Sequence, residues 1–377
     1  ASDKDEAQAI AVDAAGNVYV TGKSCGLGTD WDYATIKYNA SGIEQWVARY
    51  NGPENDWDVA YAIAIDGAGN VYVTGRSDSS GTSSDYATVK YNSSGVKQWV
   101  ARYDGPTSKW ECPTAIAVDD SGNVYVTGWS NISENDYDYS TVKYNSAGVE
   151  QWVARYDAAS GDDKAYDIAI DDAGNVYVTG YSLGSEKHED YATIKYNSSG
   201  TEQWVARYDG PGSGHDVAYA MAIDDTGNVY KTCRSGGSGT SWDYATVKYN
   251  SSGIEQWVAR YDGPTSTWDF PIDIAVDDAG NVYVAGRSYS SENDWDYVTV
   301  KYSQGPGVTE VSPDVPGHRL EVAQLAPEPV ITYTLPSSSS ISLKVYDVTG
   351  KLIRTLVTGS QETGTHTACW DARNDSN

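Results

Sequence analysis

Residues 60–75 read AYAIAIDGAGNVYVTG, and this stretch decides the fold of the chain. Its second half, NVYVTG, returns with small changes six times, beginning at Asn17, Asn70, Asn123, Asn175, Asn228 and Asn281. Neighbouring copies therefore begin 52 or 53 residues apart. Self-similarity at a fixed period is the signature of repeat architectures, in which one structural unit is copied along the chain.

Each unit contains four runs of strand length. In the second unit they are AYAIAID (60–66), NVYVTG (70–75), DYATVKYN (85–92) and QWVARYDG (98–105). The first and third connections are short and pair an Asp or Asn with a Gly three residues later, which indicates type I turns with a G1 bulge. We therefore expect four antiparallel strands in each unit.

The four runs differ in polarity. The first alternates Ala with Ile or Val, so both of its faces are apolar and need to be buried. The third contains Lys90, and the fourth contains Gln98 and Arg102. This gradient is typical of a propeller blade, whose innermost strand packs between neighbouring sheets. A linear β-solenoid is the main alternative, but its repeats are shorter and lack the gradient.

The units resemble the bacterial beta-propeller repeat of the seven-bladed type. The matching motif is D-x-x-G-N-V-Y-V-T-G, followed by D-Y-x-T-x-K-Y and a tryptophan strand, over residues 1–302. The resemblance implies a secreted or surface-exposed propeller and gives no catalytic residues. This chain shows six units rather than seven, and in its fifth unit Lys231 and Cys233 replace Val and Gly.

The tryptophan strand is one copy short. QWVARY occurs five times, at Trp46, Trp99, Trp152, Trp204 and Trp257, whereas the other three runs occur six times. We predict an all-β protein with six visible four-stranded blades, the last of which receives its fourth strand from elsewhere, in a segment preceding Ala1.

The end of the chain has a different character. Residues 303–330 are rich in Gly and Pro and show no repeat, which indicates a linker. Residues 331–377 are similar to the immunoglobulin-like module of exported bacterial proteins that is related to the flagellar hook-capping fold and to type IX secretion sorting domains. The matching residues are Tyr333, Leu335, Pro336, Val345, Tyr346, Asp347, Gly350, 354–356, Gly364, His366, Trp370 and Asp371. The resemblance implies a small, incomplete immunoglobulin-like β-sandwich.

Composition excludes several classes of function. With 53 acidic and 26 basic residues the net charge is -27, so nucleic acid and anionic lipid would be repelled. No window contains the ~18 consecutive apolar residues of a membrane span. The cysteines do not have the spacing of a zinc site, and the sequence leaves their disulfide state open. They are Cys25, Cys112, Cys233 and Cys369.

One face of the predicted propeller carries the candidate binding residues. Blade topology places the loops between second and third strands, and those between blades, on this variable-loop face. Its six tryptophans are Trp31, Trp57, Trp110, Trp242, Trp268 and Trp295, near the acidic clusters 54–58, 134–138 and 292–296. Such a surface suits stacking on sugar rings or anchoring a partner protein. Alternatively, the tryptophans fold over the blade ends as a lid and the acids are solvated.

The same acids are candidates for calcium. Glu292, Asp294 and Asp296 offer alternating oxygen ligands, although without the fixed Gly and distal Glu of an EF-hand. We expect no other cofactor. One Asp recurs before a Tyr in every unit, and we expect it to cap backbone amides rather than to hold a metal. These residues are Asp32, Asp85, Asp138, Asp190, Asp243 and Asp296.

Known catalytic motifs are absent from the sequence. Asp167 and Asp273 interrupt the apolar first strands, and buried acids can be tuned for acid–base work. Near-identical blades nevertheless favour multivalent or structural use. We expect a non-catalytic scaffold, extracellular or at the cell surface, that binds a glycan or a surface protein. The alternatives are a self-associating subunit of an extracellular array or filament, and an enzyme acting on extracellular polysaccharide.

Overall fold

In the described part of the chain every regular element is a β-strand. This computed structural model describes residues 5–25, 30–54, 56–78, 84–133, 136–158, 161–183, 189–211, 216–236, 241–263, 268–289, 295–303, 319–322, 330–335, 338–346 and 352–369. The chain divides into two compact units, one of residues 1–278 and 282–301 and one of residues 279–281 and 302–377. Within the described ranges, no helix is long and apolar enough to cross a membrane.

The first unit is a propeller of six antiparallel sheets, which confirms the predicted fold class. The first three blades are β1 (Asp5–Val12), β2 (Val18–Cys25), β3 (Trp31–Tyr38) and β4 (Glu44–Tyr50); β5 (Asp58–Ile65), β6 (Val71–Ser77), β7 (Asp85–Tyr91) and β8 (Lys97–Tyr103); β9 (Glu111–Val118), β10 (Val124–Ser133), β11 (Asp136–Tyr144) and β12 (Glu150–Tyr156). The next three are β13 (Asp163–Ile170), β14 (Val176–Leu183), β15 (Glu189–Tyr196) and β16 (Glu202–Tyr208); β17 (Val217–Ile223), β18 (Val229–Gly236), β19 (Trp242–Tyr249) and β20 (Glu255–Tyr261); β21 (Asp269–Val276), β22 (Val282–Tyr289) and β23 (Trp295–Tyr302). Strands pair in chain order, and the sixth sheet has three strands because the sequence contains no sixth tryptophan strand.

The turn between the first two strands of a blade is built by its aspartate. In the second blade, Asp66 Oδ1 accepts hydrogen bonds from the backbone amides of Ala68 (3.0 Å) and Asn70 (2.8 Å). Its Oδ2 accepts hydrogen bonds from the Asn70 side-chain amide (2.7 Å) and the Tyr72 hydroxyl (2.8 Å). Gly69 has φ of +76°, a value that side chains other than glycine disfavour. The repeated D-x-x-G-N motif is therefore a structural hairpin.

Tyrosines from the third strands fill the space between blades. Tyr86 is fully buried, and its hydroxyl donates to the backbone oxygen of Ser140 in the next blade (3.2 Å). The path of this side chain requires a glycine, since a Cβ on Gly128 would lie 2.7 Å from the Tyr86 hydroxyl oxygen. Tyr33 and Tyr139 make the equivalent bonds. The NVYVTG glycine thus permits the contact that joins successive blades.

The fifth blade departs from this arrangement. Cys233 occupies the glycine position, and the Tyr191 hydroxyl lies 2.6 Å from its sulfur instead of reaching a backbone oxygen. The thiol donates to the backbone oxygen of Ala245 (2.9 Å). Tyr191 is stacked on Tyr208, with an interplanar angle of 28°, whereas Tyr86 and Tyr103 meet at 64°. The two substitutions that the sequence singles out therefore lie together, because Lys231 packs over the same Tyr191 ring.

The first and sixth blades, at the two ends of the series, expose surfaces that the blades between them bury. Tyr297 in β23 is 100% exposed, whereas its counterparts in the first five blades are fully buried. They are Tyr33, Tyr86, Tyr139, Tyr191 and Tyr244. At the other end of the series, Ile10 and Val12 of β1 are 67% and 62% exposed. The face that normally receives the next blade is thus uncovered on the sixth sheet.

The second unit contains two small antiparallel sheets. One is formed by β24 (Arg319–Val322), β25 (Val330–Leu335) and β28 (Gly364–Cys369), and the other by β26 (Ser339–Tyr346) and β27 (Leu352–Gln361). Leu335 and Ala368 are buried, and Leu356 and Val357 pack against them. β24 lies within the segment 303–330 that we expected to be a linker, since the sequence RLEV pairs with β25.

Candidate ligand-binding face

Three of the six candidate tryptophans lie at the start of a third strand, and the other three lie just before a first strand. Trp31, Trp242 and Trp295 are the first residues of third strands, rather than loop residues as we expected. Trp57, Trp110 and Trp268 precede first strands and are 48%, 50% and 51% exposed. Trp268 forms a bridge to Trp242, and the Trp110 backbone oxygen accepts a hydrogen bond from the Asn131 amide (3.2 Å).

Five aromatic rings meet at the fifth and sixth blades. The centroid of Phe270 lies 5.7 Å from that of Trp242 and 5.4 Å from that of Trp295. Tyr289 continues the series, with its ring 5.2 Å from Trp295 and 6.5 Å from Trp268. These distances are those of favourable aromatic pairs. We call these five residues the blade 5–6 aromatic cluster.

Two arginines insert between the rings of this cluster. The guanidinium of Arg234 lies 4.3 Å from the Trp242 centroid and 5.8 Å from that of Phe270. Arg287 lies 4.5 Å from Trp295 and 5.2 Å from Phe270. Each guanidinium is thus within the range of a cation–π contact to two rings, which orients its N–H donors and stiffens the surface.

Weaker versions of the arrangement occur in other blades. Arg76 lies 5.8 Å from Trp57 and 6.0 Å from Trp110. Lys23 lies 4.6 Å from Trp31. All of these cations occupy the position directly after the glycine of NVYVTG. Sequence reasoning found the tryptophans but missed the cations and Phe270, although this repeated position was a signal that could have identified them.

The recurring aspartate at the start of the third strand forms an ion pair. Arg102 Nη2 lies 2.9 Å from Asp85 Oδ2, and the pairs Arg207–Asp190 and Arg260–Asp243 have N···O distances of 3.0 Å. In these three blades the aspartates, which we expected to cap backbone amides, bind an arginine of the fourth strand. The reason is strand pairing, which places the two positions side by side.

Of the calcium candidates that the sequence offers, Glu292 and Asp294 lie outside the described residues, and Asp296 is exposed. Three other groups of acids hold carboxylate oxygens within 4.8 Å of one another. They are Asp85, Asp104 and Glu111; Asp138, Asp157 and Asp163; and Asp243, Asp262 and Asp269.

The two acids of the first strands bind backbone. Asp167 accepts hydrogen bonds from the amides of Ile168 (2.8 Å) and, in the next blade, Met221 (2.8 Å). The pKa of Asp167 is raised to about 6, mainly by burial and to a smaller extent by the charge of Asp273. Asp273 is exposed and accepts a bond from the Ile274 amide (2.8 Å). With both oxygens occupied by amides, Asp167 links two blades.

Comparison with known proteins agrees with this architecture. The family model described as a beta-propeller repeat matches residues 1–27, 45–81, 113–136, 151–186 and 256–292. The model described as an FlgD Ig-like domain matches residues 324–377. No curated protein matches the chain.

Several solved structures are similar at low identity. A protein of unknown function from Dyadobacter fermentans DSM 18053 is 10% identical, with 78% of this chain and 94% of that chain covered and a TM-score of 0.46. An ulvan lyase of a polysaccharide lyase family is 11% identical, with 94% and 92% covered and a TM-score of 0.45. A putative gluconolactonase is 10% identical, with 79% and 89% covered and a TM-score of 0.40. The chain thus contains beta-propeller repeats and, near its C-terminus, a segment that matches the FlgD Ig-like domain model.

Proposed function

We propose that the protein is a secreted or cell-surface scaffold that binds a glycan on the blade 5–6 aromatic cluster. The observation that carries the proposal is the set of five aromatic rings held around Arg234 and Arg287. The apolar face of a sugar ring stacks on an aromatic ring, and its hydroxyl groups accept hydrogen bonds from guanidinium N–H groups. Rigid aromatic and arginine side chains are also the residues that dominate binding surfaces.

The cluster is specific to one part of the propeller. Phe270 is the single Phe of the chain, and it pairs across the sheet with Arg287. In the second and fifth blades the corresponding residues are Val59 and Val217, each paired with an arginine. The repeat itself does not require an aromatic ring at this position, which is occupied in chain order by Glu6, Val59, Cys112, Lys164, Val217 and Phe270. This supports a binding role for the ring at position 270.

Removal of one ring should weaken glycan binding without affecting the fold. We expect Trp295→Ala and Phe270→Val to reduce the affinity for the best ligand of a glycan array on the order of 30-fold, which corresponds to the ~2 kcal/mol of a hot-spot residue. Phe270→Val installs the residue that other blades already carry, so it tests the ring alone. Isothermal titration measures the affinities.

Trp57→Ala is the matched control, because Trp57 lies outside the cluster and is exposed to a similar degree as Trp268. It should bind as the wild type does. Equal affinities of wild type and Trp295→Ala would overturn the proposal. Glycan turnover that is lost in Asp167→Asn would instead favour the enzyme alternative.

The uncovered face of the sixth blade favours a second candidate function, self-association into an extracellular array. Its exposed Tyr297 is a residue that every other blade buries under the first strand of its neighbour. The exposed Ile10 and Val12 belong to such a first strand, so a second copy offers the complementary surface. Head-to-tail contacts of this kind build open assemblies unless the rotation closes a ring.

Light scattering tests self-association. We expect the mean mass of the wild type to rise with concentration, and Tyr297→Glu to remain monomeric because a charge on the contact face is costly to bury. Val149→Glu, at an exposed valine of the third blade away from both terminal faces, controls for added charge. A wild type that stays monomeric across a wide concentration range would exclude this assembly.

A further inference from the structure

Carboxylates meet at the junctions between successive blades. One comes from the start of a third strand, one from the exit of the fourth strand and one from the start of the next blade's first strand. At the junction of the third and fourth blades these are Asp138, Asp157 and Asp163, with oxygens within 4.8 Å of one another. Strand order therefore brings together residues that are up to 25 positions apart in the sequence.

This junction differs from its equivalents in its charge balance. In the second blade, Arg102 forms an ion pair with Asp85 at 2.9 Å. The corresponding Arg155 instead donates to the Tyr103 hydroxyl at 2.7 Å. Among the described residues, no lysine or arginine forms an ion pair with Asp138. Asp138 therefore lacks the direct ion pair that Arg102 forms with Asp85 in the second blade.

The acids are also shielded from water to different degrees. Asp138 is 5% exposed and Asp163 is 0% exposed, whereas Asp157 is exposed. Asp138 Oδ1 is buried and accepts no hydrogen bond. A buried carboxylate oxygen without a donor is costly unless a cation or a proton satisfies it. Asp163 is held in place, because its Oδ2 accepts the amide hydrogen of Ala158 at 3.0 Å.

A fourth carboxyl group lies next to these three acids. Asp136 is fixed beside the group, since its Oδ1 accepts a hydrogen bond from the Gly161 amide at 3.1 Å. Four carboxyl groups thus act on one small volume.

We propose that Asp138, Asp157 and Asp163 bind a calcium ion at the junction of the third and fourth blades. Carboxylate oxygens are the ligands that Ca²⁺ prefers, at distances of 2.3–2.6 Å. Two oxygens on opposite sides of such an ion lie about 4.8 Å apart, so the observed separation accommodates it with little movement. The exposed Asp157 leaves the site open to the waters that complete a coordination number of 6–8. The ion joins β11 to the entry of β13 and so connects the two blades.

Calcium titration of the full chain after EDTA treatment tests the site. We expect Ca²⁺ to bind with a Kd in the 10⁻⁴–10⁻³ M range of extracellular modules, and to raise the Tm. Asp138→Asn and Asp163→Asn should weaken binding at least about 10-fold and abolish the rise in Tm. Both variants should equal or exceed the wild-type Tm in EDTA, because they remove a buried charge, and this shows that they fold.

Asp216→Asn is the matched control. Asp216 occupies the position of Asp163 at the next junction, where Arg207 binds Asp190 at 3.0 Å. This variant should keep the wild-type response to Ca²⁺. The proposal is overturned if the wild type binds no Ca²⁺, if Asp138→Asn binds with unchanged affinity, or if Mg²⁺ gives the same affinity and the same rise in Tm.

Discussion

Lys231→Val should stabilise the protein at pH 6 by roughly 5 kcal/mol, because the variant removes a buried ammonium whose protonation is costly in the folded state. Lys231 is fully buried in the fifth blade, and burial lowers its pKa from 10.5 to about 7. Its ammonium donates to Thr193 Oγ1 (3.1 Å) and lies 4.4 Å from the Tyr191 centroid and 4.5 Å from that of Tyr249. These contacts offset only part of the cost of removing the charge from water.

The stabilisation should depend on pH with a definite sign. Between pH 7 and pH 10.5 the unfolded chain keeps the Lys231 proton and the folded chain releases it. Because the unfolded state then binds more protons, wild-type stability rises with pH over this window. The advantage of Lys231→Val is therefore largest below pH 7 and falls to roughly 1–2 kcal/mol at pH 9.5. Below pH 7 the titration of Lys231 no longer changes this advantage.

Urea unfolding at pH 6 and pH 9.5 measures the two differences. Lys143→Ala serves as the control, because its ammonium lies at the surface over Tyr125 and should give a small change that is the same at both pH values. An equal gain for Lys231→Val at the two pH values would show that burial does not control the titration of this lysine. The other blades carry a matched valine at this position, so overpacking is not expected. These residues are Val20, Val73, Val126, Val178 and Val284.

Repeated positions were predictable from the sequence because each one recurs with the same neighbours. The period, the four runs and the missing tryptophan strand were sufficient for the order of strands and for the three-stranded sixth sheet. The sequence also marked Lys231 and Cys233 as departures. It could not show that Tyr191 from the preceding blade fills the same space, since that contact joins residues about 40 positions apart.

The candidate binding surface was predictable only in part. The six tryptophans lie on the face that topology assigned to them, but Phe270 and Arg287 become neighbours through the pairing of β21 with β22. The composition of the chain does not show which residues pair across two strands. The carboxylate groups at the junctions were missed for the same reason, because each combines the ends of three strands. Sequence reasoning considered the acids of one loop, at 292–296, and did not consider acids that come from adjacent blades.

Trp152→Ala should destabilise the propeller by about 3 kcal/mol, the lower end of the cost of deleting a packed aromatic side chain. The indole Nε1 donates to the backbone oxygen of Ser198 in the next blade (3.2 Å). Its ring packs against Tyr125 (6.1 Å between centroids) and Tyr196 (6.5 Å). A Cβ on Gly200 would lie 2.7 Å from Cδ2 of the indole, so this turn is shaped to the ring.

Trp152→Phe separates the hydrogen bond from the packing. It keeps a ring against the two tyrosines but leaves the Ser198 oxygen without the indole donor, which should cost only about 1 kcal/mol. Denaturant unfolding should give a lower midpoint with an unchanged m-value in both variants. The reason is that β9 and β13, the first strands of the third and fourth blades, still pack against each other. Two separate transitions in Trp152→Ala would contradict this expectation. They would mean that the outer tryptophan, rather than the inner strands, couples the third blade to the fourth, as in repeat proteins whose stability is a sum of units and interfaces.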